Sequence, residues 1–149
     1  MINVQANCSS KMTEEQMQSI RGMGIGYLAV NFLQEDYAFD GIMRFQEKAS
    51  RYDLKIADAG CPNLQKCPEI HLGKPDRDMW IDRYNEFTRA LGRAGVHVNY
   101  IAWQPNGIFR SRIDAGKYNR GEKSFICDMD EILSRPISND REYGEEEIW

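Results

Sequence analysis

The sequence predicts an α/β fold on a parallel sheet, and three observations lead there. Short apolar runs alternate with stretches of helical periodicity from the N-terminus to Trp103. The runs have the length and the composition of buried strands. Small polar groups (Asn7, Asn31, Asp58, and Gln104 with Asn106 beside Trp103) stand at or just past the carboxyl end of each run. Such alternation yields parallel strands joined by right-handed crossovers, and carboxyl strand ends are where these folds build their sites. An open doubly wound sheet and part of a (β/α)8 barrel both meet these terms.

Each element has its own justification. Residues 2–7 (INVQAN) alternate apolar and polar side chains and predict a first strand. In TEEQ, Thr13 and Gln16 have the spacing of a capping box. The helix it opens carries Met17 and Ile20 on one face and ends at the glycines of RGMGIG. Residues 27–32 (YLAVNF) predict a buried second strand. Ile42, Phe45, Ala49 and Tyr52 recur at helical spacing and predict a second helix. Residues 54–60 (LKIADAG) predict a third strand. Asp76 or Pro75 opens a third helix with the core stripe Trp80, Tyr84, Phe87 and Leu91, and Gly95 is placed as its C-cap glycine. Residues 96–103 (VHVNYIAW) are rich in β-branched and aromatic side chains and predict a fourth strand. From 104 to 143 periodicity weakens, apart from a short helix near DMDEIL, so a long loop or lid is expected. The closing EYGEEEIW reads as the opening of another helix. The expectation is one domain over 1–149 that is a truncated piece of a larger fold.

Composition narrows the function classes. The chain has 149 residues, which suits one domain, and its 42% hydrophobic and 28% charged residues are those of an ordinary globular protein. No run approaches the length of a membrane span, and the N-terminus lacks the basic and apolar regions of a signal peptide. A cytoplasmic protein with no membrane partner is expected. The net charge of -4 argues against nucleic acid as a partner. Locally, Arg110, Arg112, Lys117, Arg120 and Lys123 outnumber Asp114 and Glu122, giving a loop suited to a small anion. Glycine-rich phosphate loops, GxSxG, HExxH and CxxC motifs are absent from the sequence.

The stretch CPNLQKCPEIH, from Cys61 to His71, raises the question of zinc. Its two thiols are spaced more widely than a zinc knuckle requires, and further ligands would have to be remote. Cys8, Cys61, Cys67 and Cys127 are therefore expected to be free thiols. The stretch reads as the loop after the third strand.

Four segments taken together resemble one family. HLGKPDRDMWIDRY, RALGRAGVHVNYIAWQPNGIFRSR, the RG of Arg120 and Gly121, and EYGEEEIW are similar to the N-terminal half of the mannonate dehydratases. The resemblance implies a partial (β/α)8 TIM barrel, with about four strands, three helices and a long loop in this chain. It implies loss of water from D-mannonate to give 2-keto-3-deoxy-D-gluconate, assisted by Mn²⁺ or Fe²⁺. Removing a weakly acidic proton beside a carboxylate requires cationic stabilisation, a positioned base, and an acid for the departing hydroxyl. The resemblance places the metal ligands in the family's C-terminal half, so this chain alone is expected to bind no metal and to lack catalysis. It implies substrate contacts at Trp103, Asn106, the backbone of Gly107, and Arg112, whose guanidinium suits a carboxylate. His71 stands where many relatives carry lysine and is a further substrate-site residue. A homo-oligomeric parent enzyme is expected.

Three rival readings stay open at this level. One is a sugar isomerase or epimerase of the same barrel group, which also takes a metal and a polyol. Another is a zinc-binding interaction module using Cys61, Cys67, His71 and Cys127. The last is an open-sheet binding domain without catalysis.

Overall fold

A computed structural model of the chain describes residues 3–102, 111–114 and 120–134. The chain divides into two compact units, Met1–Trp103 and Gln104–Trp149.

The first unit is built on three parallel strands in sequential order, β1 (Gln5–Ser9), β2 (Tyr27–Asn31) and β3 (Lys55–Gly60). Helix α1 (Glu14–Gly22) follows β1, and α2 (Phe39–Ser50) follows β2. After β3 come two single turns, α3 (Pro62–Gln65) and α4 (Pro68–His71), and then the long α5 (Arg77–Arg93). The local signals explain these limits. Both halves of the Thr13–Gln16 capping box form at α1, satisfying backbone N–H groups that the first turn leaves unpaired. Past α5, Gly95 takes φ +78°, the left-handed position for which glycine is suited.

Burial divides the sheet into two faces. Leu28, Val30 and Ala59 are fully buried, and they share one cluster with Met17 of α1, Ile42 and Phe45 of α2, and Phe87 and Leu91 of α5. The three helices therefore cover the same face, as sequential strand order with right-handed crossovers requires. At the centre Phe32 meets Phe45 and Phe87 edge-on, with ring centroids 5.8 and 6.2 Å apart. The opposite face carries Gln5, Asn7, Tyr27, Ala29 and Asn31, the more exposed alternates of β1 and β2. A parallel sheet with helices on one side is compatible with part of a (β/α) barrel.

A bulge decides which face Asp58 joins. Leu28 pairs with Ile56, but Ala29 pairs with Asp58, so Ala57 is the extra residue. In an unbroken register Asp58 would stand level with Val30 and face the core, because a one-residue slip moves a side chain to the other face.

Two expectations are corrected. The fourth strand over 96–103 is reduced, through Ala102, to one parallel bridge between Ala59 and Asn99. Its hydrogen bonds are Ala59 N–H to Val98 O at 3.0 Å and Tyr100 N–H to Ala59 O at 3.4 Å. The segment lies at the sheet's edge with no strand beyond it among the described residues, and Asn99 is drawn to α5, donating to Thr88 Oγ1 at 2.9 Å and Tyr84 Oη at 3.1 Å. The stretch CPNLQKCPEIH, read as a loop, forms α3 and α4, each with proline in its first turn. Proline suits that position because its missing N–H would have no intrahelical partner there.

The second unit, read as a long loop, contains an antiparallel pair, β4 (Arg112–Asp114) with β5 (Ser124–Ile126). The expected short helix is present as α6 (Met129–Leu133), capped by Asp128 Oδ1 on the N–H groups of Asp130 and Glu131. The closing EYGEEEIW lies outside the described residues.

Candidate functional site

The polar face of the first unit carries a set of hydrogen bonds that runs from the start of β1 to the carboxyl end of β2. Asn31 Nδ2 donates to Asn7 Oδ1 at 2.8 Å, and the Tyr100 hydroxyl donates to Asn31 Oδ1. Gln5 Nε2 donates to Asp58 Oδ2 at 2.7 Å. These residues come from β1, β2, β3 and the segment bridged to β3, so the sheet register assembles them.

Gly60 closes this floor at its upper end. It pairs with Asn31 in register, and a Cβ there would stand 2.2 Å from Gln65 Oε1 and 2.6 Å from Tyr100 Cζ. A side chain is therefore excluded, and the space is taken by the Gln65 carboxamide and the Tyr100 ring. Beside the floor the loops after β1 and β2 are tied together. Asp36 accepts from Ser10 Oγ at 2.9 Å and pairs with Lys11 at 2.8 Å. Hydrogen bonding to Lys11 holds the Asp36 carboxyl below its usual range.

Apart from the Asp58 carboxylate, the chemistry of this surface is that of amides and hydroxyls. Carboxamides offer both donors and an acceptor, and a phenol offers both roles on one oxygen. Such groups fit neutral hydroxyls better than a phosphate or a multiply charged ion, which would call for clustered cations.

Comparison with known proteins places the chain among relatives. A mannonate dehydratase of Thermotoga neapolitana is 34% identical over 134 residues, covering 83% of this chain and 37% of that protein. One from Shouchella clausii is 26% identical over 141 residues, 88% of this chain and 39% of its own length. One from Thermotoga maritima is 31% identical over 96 residues, 63% of this chain and 26% of its own length. The chain is related to the mannonate dehydratases. It spans well under half the length of these relatives. No family model matches the chain, and no solved structure matches it significantly.

Of the residues the mannonate dehydratase resemblance pointed to, Trp103, Asn106 and Gly107 lie outside the described residues. His71 ends α4 and is buried. Its imidazole bonds to the backbone of Gln65, and burial holds its pKa below the ordinary value, favouring the neutral ring. It thus supports Gln65 from behind. Arg112, in the second unit, pairs with Glu131 and has Asp128 at 3.9 Å, so its guanidinium already holds a carboxylate.

Two of the thiols, Cys61 and Cys67, are placed for packing. All four cysteines are unbridged, with Cys61 and Cys67 buried and Cys127 exposed. Burial, and then the Glu69 carboxylate accepting from Sγ at 3.0 Å, pushes the Cys67 thiol up to about 11. A zinc ligand has to be a thiolate, which these surroundings oppose. Among the described residues no three His, Cys, Asp or Glu side chains are gathered so as to hold a metal ion. The donor set for a zinc module is therefore not assembled among the described residues. Among them, no helix is long and apolar enough to cross a membrane.

Gln65 and Tyr100 escaped the sequence reading. The two Cys-Pro pairs were the available signal for Gln65, since proline at N1 marks a helical turn and so fixes where the residue three positions on points. For Tyr100 there was none, because its partner Asn31 is 69 residues away.

Proposed function

We propose that this chain is part of a sugar-acid dehydratase acting on D-mannonate, and that it supplies one wall of the substrate site in a (β/α)8 barrel. The observation that carries this reading is the amide and hydroxyl floor on the polar face of the sheet, in a chain 34% identical over 134 residues to a protein named mannonate dehydratase. Its residues bind and orient hydroxyls: Asn7, Asn31 and Tyr100 present donors and acceptors on a rigid sheet, which limits the freedom of a flexible acid. By the family resemblance, Trp103, Asn106, Gly107 and Arg112 are further substrate contacts of the parent enzyme. Engagement of Arg112 then means release of Glu131. The Mn²⁺ or Fe²⁺ ion of the parent enzyme is assigned to ligands in the family's C-terminal half. A cytoplasmic, homo-oligomeric parent enzyme completes the proposal.

The test is a chimera in which this chain replaces the matching residues of the Thermotoga neapolitana relative. Dehydration of D-mannonate by the purified, folded chimera is the expected result. A folded chimera that binds metal but leaves D-mannonate unchanged refutes the reading.

A further inference from the structure

Gln65 carries a carboxamide oxygen that the fold leaves without a hydrogen bond. The residue is 2% exposed, and its Oε1 has no partner. Buried carbonyl oxygens are nearly always paired, so an exception calls for an explanation. The position of this one supplies it. Gln65 Oε1 occupies the space above Gly60 beside the Tyr100 ring, and Gly60 is the register partner of Asn31. The oxygen thus stands on the same face as the Asn31–Asn7 and Tyr100–Asn31 hydrogen bonds. Its backbone is fixed on both sides, by Gln65 N–H to Cys61 O at 2.9 Å and by the His71 imidazole. The terminal torsion of glutamine is soft, so the carboxamide can turn onto the floor while α3 stays in place.

We propose that Gln65 is a hydroxyl-binding residue, accepting from one hydroxyl of an open-chain polyol whose neighbouring hydroxyls lie on Asn31, Asn7 and Tyr100. The ligand class rests on the sugar-acid reading above, but the assignment concerns the hydroxyls and not the carboxylate. A hydroxyl donates and accepts at one atom, so successive hydroxyls match a surface on which an acceptor oxygen adjoins amide donors.

The experiment follows the side-chain amide signals of the ¹⁵N-labelled full chain by NMR during titration with D-mannonate and, separately, with D-mannitol, which keeps a hydroxyl chain and lacks the carboxylate. The assignment expects the Gln65, Asn31 and Asn7 amides to shift with both. Gln65→Met, close in volume but without the carboxamide, should weaken both about tenfold, the effect of losing one neutral hydrogen bond. Should that variant fail to fold, the wild-type shifts decide. Shifts at these amides with D-mannitol but no response to D-mannonate support the assignment and refute the sugar-acid reading. Binding of D-mannonate that leaves the Gln65 amide unmoved overturns the assignment and leaves the sugar-acid reading standing. No shift at Gln65 with either compound also overturns it.

Discussion

Replacing Gly60 with alanine probes the whole floor through one methyl group. The new Cβ would stand 2.2 Å from Gln65 Oε1 and 2.6 and 2.8 Å from two carbons of the Tyr100 ring. Ordinary contact lies near 3.5 Å, so each neighbour has to retreat by about 1 Å. The Gln65 oxygen can turn away at the soft end of its side chain, so the cost falls on Tyr100, whose hydroxyl is bonded to Asn31. Overpacking of this kind costs about 1–3 kcal/mol, and loss of the Tyr100–Asn31 bond adds about 1 kcal/mol. The sum, about 2–4 kcal/mol, corresponds to a fall in Tm of roughly 10–25 °C for a unit of this size. Circular dichroism melts of the Gly60→Ala and parent chains measure it. A Tm within about 3 °C of the parent would refute the packing described for Gly60, since such a shift is under 1 kcal/mol.

Three other outcomes test separate parts of the structure. Phe32→Ala removes a fully buried ring held edge-on by Phe45 and Phe87 and should cost about 3–5 kcal/mol in urea denaturation; a loss below about 1 kcal/mol would contradict a core at that position. Iodoacetamide at pH 8 should label exposed Cys127 well before buried Cys61 and Cys67, because the Cys67 thiol is held up to about 11 and is scarcely ionised; equal rates by mass spectrometry would contradict that burial. His71 has a folded pKa below its ordinary 6.5, so between that folded pKa and 6.5 the unfolded chain binds more protons. Its contribution to stability is complete above pH 6.5 and is lost as pH falls through that window. Tm measured against pH should decline there in the parent and decline less in His71→Gln; parallel curves would exclude the histidine as the cause.

Much of the local structure was legible because local chemistry dictates it. The Thr13–Gln16 box, the apolar stripe of α5 and glycine at 95 act through neighbours within a turn or two of chain, and each formed as its residues specify. Runs such as YLAVNF carry their own burial, and Asn31 was recognisable as a polar residue at a strand end, whereas Asn7 and Asp58, expected at strand ends, lie inside β1 and β3. The fourth strand was overread for a reason that composition cannot show. β-Branched and aromatic side chains favour a strand only where a neighbour accepts its hydrogen bonds, and residues 96–102 have β3 on one side alone.

The sequence by itself determined the alternation of elements, their caps and their apolar faces, because these depend on residues close together in the chain. Only the tertiary structure decided how the floor is made. The bulge at Ala57 turns Asp58 from the core to the polar face, where it meets Gln5 across 53 positions of sequence. Sheet pairing brings Tyr100 to Asn31, and the turn at Pro62 carries Gln65 over Gly60. Periodicity encodes how deeply a side chain is buried, but register and long-range pairing settle which side chains meet.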